Sequence, residues 1–158
     1  MCTTRAMLSN TRPRLAAAGH GHTQVRHGDL YALSVGDRQA DAIVMHQVLH
    51  FLSEPVLAIR EAARVLEPGG RLLIVDFAPH ALEFLREREA HERLGFTHEQ
   101  VAGWLADAGL KLRSIDDLAP KDSNGDDKLT VTLWLAEREA SHAVAAKRTT
   151  KETREGVQ

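Results

Sequence analysis

A single cysteine, Cys2, stands in the 158 residues. One thiol excludes an intrachain disulfide framework and a cysteine-rich zinc module, and it fits a reducing compartment, so a cytoplasmic protein is expected. No apolar run approaches the length of a membrane span, so no membrane partner is expected. An excess of charge of one sign is also lacking: 20 basic residues face 22 acidic ones for a formal charge of -2. Nothing there resembles the basic coat of a polyanion binder, and no nucleic-acid partner is expected. No acidic residue precedes Asp29. The early Arg5, Arg12 and Arg14 come with no apolar h-region, so a secretory signal is not expected, and an exposed basic helix is a plainer reading than a transit peptide. The only tyrosine, Tyr31, is followed four positions later by Val35, where a short-chain dehydrogenase would need lysine.

What is present suits one globular unit, since 43% hydrophobic residues can fill a core. Thr4 to Ala18 reads as a helix closed by Gly19 and Gly21, with Pro13 breaking or restarting it. Thr23 to His27 is a short β-prone run stopped by Gly28-Asp29. Asp41 to Met45 lacks period-2 alternation, the pattern of a strand covered on both faces. Ser53 is expected to cap a helix that tolerates Pro55 in its first turn and carries Val56, Ile59, Ala63 and Leu66 at helical spacing. Pro68-Gly69-Gly70 ends it and leads into a second apolar strand, Leu72 to Val75. Strand, helix, glycine turn and strand together predict a βαβ unit with a parallel pair.

After Pro79, Glu83 to Arg93 is dense in charge and predicts a solvated or cleft-facing helix anchored by Leu82, Leu85 and Leu94. Thr97 and Gln100 form a capping box, Val101, Trp104, Leu105 and Ala108 one apolar stripe, and Gly109 the left-handed stop. Alternating residues in 110–114 and 129–135 predict an antiparallel pair at the sheet edge. From about Ala140 to Gln158 the chain turns charged without periodicity, which reads as a disordered tail after a domain spanning 1–139.

Doubly wound sheets bind ligands beyond the carboxyl ends of their strands. The residues there are Gly28-Asp29-Leu30, His46-Gln47 and Asp76-Phe77. Asp29 could accept from an exocyclic amine or a ribose hydroxyl, or simply satisfy N–H groups of its own turn. His46 and Gln47 could face a ligand or cap the strand-to-helix turn. His46 and His50 are spaced four apart as in helical zinc pairs, but Gln47 stands where a zincin needs glutamate, so no metal site is expected. His20, His22 and His27 lie in a loop with no nearby cysteine or carboxylate partner before Asp29, and for them surface histidines are the preferred reading.

Taken together, His27-Gly28-Asp29, the strand Ala40 to Met45, the run His46 to Leu52 and the segment Arg64-Val65-Leu66-Glu67-Pro68-Gly69-Gly70-Arg71-Leu72-Leu73-Ile74-Val75-Asp76 resemble class I S-adenosylmethionine-dependent methyltransferases. The nearest wording is that of the type 11, ubiquinone/menaquinone-biosynthesis-like group. Val75 to His80, with Glu83 to Arg86 and Arg93 to Phe96, is also similar to methyltransferase domains fused to arsenic-sensing-type repressors. The resemblance covers roughly Thr4 to Arg138. It implies an α/β fold with a Rossmann-like, doubly wound, mostly parallel sheet and an antiparallel C-terminal strand pair. It implies S-adenosyl-L-methionine as cofactor, with Asp29 on the adenine amino group, Leu30 against the ring, and His46 and Gln47 toward the methionine end. His46 or His50 would take a proton from the acceptor.

The family's glycine-rich cofactor loop and the acidic residue one strand later find no counterpart. Gly19-His20-Gly21-His22 follows a helix rather than a strand, and Cys2 aligns where the ribose carboxylate belongs. The expectation is therefore a domain truncated at its N-terminus, lacking the first βα unit and most of the second strand, with open sheet edges. Methyl transfer to a small-molecule acceptor, with Phe84, Phe96 and Trp104 as possible pocket walls, is the first functional reading. A non-catalytic methyltransferase-like fragment or interaction module is the alternative, and a homodimer is left open.

Overall fold

The computed structural model describes residues 11, 13–20, 22–120 and 129–140. The chain divides into two units, Met1–Ser34 and Val35–Gln158. In the first, residues 13–17 are helical. Gly19, at φ 79°, ends that helix, its N–H donating to the Ala16 carbonyl while the His20 N–H donates to Leu15. The start of this helix, at Thr4, falls outside the described residues. The β-prone run Thr23 to His27 forms no strand. A strand exists only through its ladder, and among the described residues of this unit the one bridge is the isolated Asp29–Ala32 pair.

The second unit holds β1 (Ala40–His46), a 3₁₀ turn (Leu49–Phe51), α1 (Pro55–Val65), β2 (Leu66–Phe77), α2 (Phe84–Glu89), α3 (His98–Asp107), β3 (Leu110–Leu118) and β4 (Val131–Arg138). Its four-stranded sheet has the order β1-β2-β4-β3. β1 and β2 run parallel, whereas β2–β4 and β4–β3 are antiparallel. The α/β class, the parallel βαβ unit and the antiparallel C-terminal pair are thus as the sequence indicates. Pro55 occupies the first turn of α1, where its missing N–H removes no helical bond. The cap is Glu54 rather than Ser53, and no side chain closes it.

Glycine shapes the entry to β2. Between the Ala40–Leu66 and Ala42–Arg71 pairings one residue of β1, Asp41, stands against four of β2, so Glu67 to Gly70 bulges out. Gly69 turns at φ 85°, and a Cβ on Gly70 would sit 2.9 Å from the Glu67 carbonyl oxygen and 3.1 Å from that of Ala40. Only glycine allows so close a backbone approach.

One sheet face carries the core. Leu72, Ile74 and Asp76 of β2 stand beside Ala136, Trp134 and Thr132 of β4, and all six are buried. Leu49, Ile59, Leu66, Phe96, Val101 and Leu105 complete the core. The opposite face is less covered: Leu73 and Val75 are half-buried, and Val44 on β1 is 61% exposed. β1 therefore reads as a strand buried on one side, contrary to the expectation from its unbroken apolar run.

α3 carries the expected capping box: the Gln100 N–H donates to Thr97 Oγ1 at 3.1 Å and the Thr97 N–H to Gln100 Oε1 at 3.0 Å. Gly109 follows at φ 74°. The charged helix is shorter than Glu83 to Arg93, because Ala90 turns left-handed at φ 56° and the N–H groups of Glu92 and Arg93 donate to the carbonyl of His50. Arg138 ties the end of β4 to α1, donating to the Ala63 and Leu66 carbonyls at 2.7 Å each. The stretch expected to be a tail, 141–158, is outside the described residues.

Candidate functional site

Parallel β1 and β2 end side by side at His46 and Val75, and the chain beyond them forms the candidate site. Gln47 leaves β1 with φ 48°, a left-handed conformation unusual for a residue with a Cβ. Its N–H still donates to the Val75 carbonyl at 2.7 Å, so the sheet ladder holds the turn in place. His46 is exposed and shares the sheet face of Val75. His50 is buried in the 3₁₀ turn. A strand residue and a 3₁₀ residue do not make a helical zinc pair, and among the described residues no group of three or more potential ligands could hold a metal.

His50 lies in a dense side-chain cluster. Its Nδ1 is 2.7 Å from Asp76 Oδ1, with the residues 2% and 0% exposed. Asp76 also accepts the Leu49 N–H on Oδ2 at 3.0 Å and the Phe77 N–H on Oδ1 at 2.9 Å. The His50 ring packs 4.1 Å from Phe51, 5.1 Å from Phe77 and 4.1 Å from His91 between centroids. Burial, reinforced by repulsion from His50, holds His91 and His80 below the ordinary histidine pKa. Both present a buried ring nitrogen without a partner, Nδ1 of His91 and Nε2 of His80.

A cleft of about 480 Å³ opens beside this cluster, lined by Ser53, Arg86, Glu92, Arg93, Leu94, Gly95, Phe96 and Gln100. Its wall is tied to the histidine cluster through the Glu92 and Arg93 N–H groups on the His50 carbonyl. Arg93 in turn donates to the Ser53 carbonyl at 2.8 Å. Of the expected apolar walls, Phe96 lines the cleft but packs edge-on to Trp104 in the core, and Phe84 is exposed.

Asp29 and Leu30 lie in the first unit, His46, Gln47 and His50 in the second. Asp29 is exposed, and its Oδ1 accepts the Tyr31 N–H at 2.9 Å, the local turn role that aspartate commonly plays. Sequence reasoning singled out Asp76 as a strand-end residue but gave it no partner. Its pairing with His50, and the company of His80 and His91, emerge only from the fold. The one available signal was that Asp76 is an isolated acid closing an apolar strand.

This arrangement of sheet and strand ends is an α/β fold that the solved structure of the [4+2]-cyclase SpnF shares. The match has a TM-score of 0.72 and 19% identity, over 86% of this chain and 64% of that one. A fold shared with a cyclase does not by itself fix the chemistry. Sequence narrows it: residues 1–74 match the family described as methyltransferase domain. The ubiquinone/menaquinone biosynthesis C-methyltransferase UbiE of Caulobacter sp. (strain K31) is 36% identical over 80 residues, 50% of this chain and 31% of that protein. The 27-O-demethylrifamycin SV methyltransferase of Amycolatopsis mediterranei (strain S699) is 32% identical over 101 residues, 59% of this chain and 37% of that protein. Residues 1–74 are thus similar to a methyltransferase domain, and the chain shares sequence similarity with S-adenosylmethionine-dependent methyltransferases over about half of its length. It spans about a third of the length of these two curated relatives.

Proposed function

We propose that this chain acts in methyl transfer from S-adenosylmethionine to a small-molecule acceptor, at the carboxyl ends of β1 and β2. The observation that carries the reading is the left-handed Gln47 at the end of β1. A non-glycine residue held there costs about 1–3 kcal/mol, and such strain concentrates at functional sites. The position is also where doubly wound sheets receive ligands. The cleft whose wall hangs on the His50 carbonyl has the size of a small-molecule pocket.

The residues fit the cofactor in part. Asp29 has a second carboxylate oxygen to offer an adenine amino group, and Leu30 an apolar contact for the ring. His46 and Gln47 would face the methionine end. Among the described residues no glycine-rich turn runs from a strand into a helix, so no group is assigned to the ribose. Bound S-adenosylmethionine would supply an electrophilic methyl on a good leaving group, which leaves the protein to orient the acceptor, exclude water and accept a proton. His50 and His46 are the candidates for that last task. The lone Cys2 supports a reducing, cytoplasmic setting.

Calorimetric titration of the full chain with S-adenosylmethionine tests the reading. Saturable heat is expected, weakened in Asp29→Ala, while no heat at millimolar cofactor overturns it. A second reading, a methyltransferase-like interaction module without catalysis, draws on the exposed Val44 face of edge strand β1. It would be favoured by a silent titration of a chain that melts cooperatively.

A further inference from the structure

We propose that Asp76 is a positioning residue that fixes His50 in a single tautomer, with its lone pair on Nε2, so that His50 serves as the proton acceptor of the transfer reaction. The inference rests on the methyl-transfer reading for its purpose but not for its geometry.

The hydrogen bonds dictate the tautomer. Asp76 Oδ1 accepts the Phe77 N–H and Oδ2 the Leu49 N–H, both from backbone donors that can only donate. The carboxylate therefore presents lone pairs, and the nitrogen 2.7 Å from Oδ1, His50 Nδ1, must carry the hydrogen. A neutral imidazole protonated on Nδ1 keeps its basic pair on Nε2. The ring cannot turn over to exchange the two nitrogens, because Phe51, Phe77 and His91 pack against it.

The surroundings are suited to the task. The ionisable groups nearest the ring are Asp76 from β2, His80 from the segment after it, and His91 after α2, with Glu83 and Glu89 acting on the latter two. The same His50 that offers Nε2 holds the cleft wall through its carbonyl. In the step this arrangement serves, an acceptor atom bearing a proton forms a bond to the methyl carbon. The carbon–sulfur bond breaks with its electron pair remaining on sulfur, and the acceptor's proton passes to Nε2. Replacing a carboxylate that fixes a catalytic imidazole by an amide keeps the shape while permitting the wrong tautomer.

Long-range proton–nitrogen correlation spectra of the full chain at neutral pH test this directly. The wild-type His50 signals are expected to report the Nδ1–H tautomer alone, and Asp76→Asn is expected to lose that signature and populate Nε2–H. A wild-type His50 protonated on Nε2 would overturn the proposal, as would an Asp76→Asn chain, folded by its thermal melt, whose His50 tautomer is unchanged. Should the variant fail to fold, the wild-type spectrum still decides. A silent S-adenosylmethionine titration would remove the methyl-transfer reading while leaving the tautomer result to decide the pairing.

Discussion

Replacing Gly95 by alanine should disturb the site more than any other glycine substitution in the second unit, and Gly109→Ala supplies the control. Both residues have positive φ, 81° and 74°. An alanine forced into that region costs about 1–2 kcal/mol. At Gly109 nothing lies within 4 Å of a new Cβ, so that strain is the whole effect. At Gly95 the Cβ would fall 2.1 Å from the Ala78 carbonyl oxygen and 2.9 Å from that of Phe77. Backbone cannot swing aside as a side chain can, so the 94–96 segment must lift from the end of β2. Two hydrogen bonds go with it, Phe96 N–H to the Phe77 carbonyl at 2.9 Å and His80 N–H to the Leu94 carbonyl at 3.1 Å. Each lost bond that leaves a buried group unsatisfied costs about 1–3 kcal/mol. The sum for Gly95→Ala is about 3–8 kcal/mol, against about 1–2 for Gly109→Ala. Urea unfolding followed by the fluorescence of Trp104 and Trp134 would measure both. Equal losses for the two variants would refute the close approach that places the cleft wall on β2.

Further expectations concern the cluster and the helix cap. Asp76→Ala strips a buried carboxylate from three donors and should cost about 3–5 kcal/mol in the same assay. Thr97→Ala breaks the capping box of α3 and should cost about 1 kcal/mol, without altering the spectra of the histidine cluster. Folding holds His80 and His91 below their ordinary value of 6.5, so the unfolded chain binds more protons as acid is added. Their contribution is complete above about 6.5 and is lost as pH falls through that value toward their lowered folded values. Melting temperatures recorded from pH 8 to 5 should drop over that interval, and less so in His91→Gln.

Local signals carried much of the fold. The Thr97–Gln100 box and the alternation in 129–135 act within a few residues and their elements form there, β4 starting at Val131. Pro68-Gly69-Gly70, by contrast, does not end α1, which stops at Val65, but bulges inside β2, which takes in Leu66. Features that depend on distant partners were not legible. Thr23 to His27 has β-prone residues but, among the described residues, no strand pairs with it. The charged helix stops at Ala90 because the residues beyond it bond to the His50 carbonyl, far away in sequence. Ile43 to Met45 is apolar on both sides, yet only the side facing α1 and the core is buried, since nothing in the sequence of a strand says whether it lies at an edge. At the site, the strand-end positions were visible from the βαβ pattern, and the strain at Gln47 was not. His50 and Asp76 meet because the crossover returns β2 beside β1 in one register, a property of the whole unit and not of either residue's surroundings.

Binding of a methyl donor over the ends of β1 and β2, as proposed, is tested most directly by backbone amide spectra of the full chain recorded while S-adenosylhomocysteine is added. Saturable shifts are expected, centred on Gln47, Leu49, His50 and Phe77, with the edge strand β3 unaffected. Shifts confined to β3 or α3, or none at millimolar ligand, would contradict it.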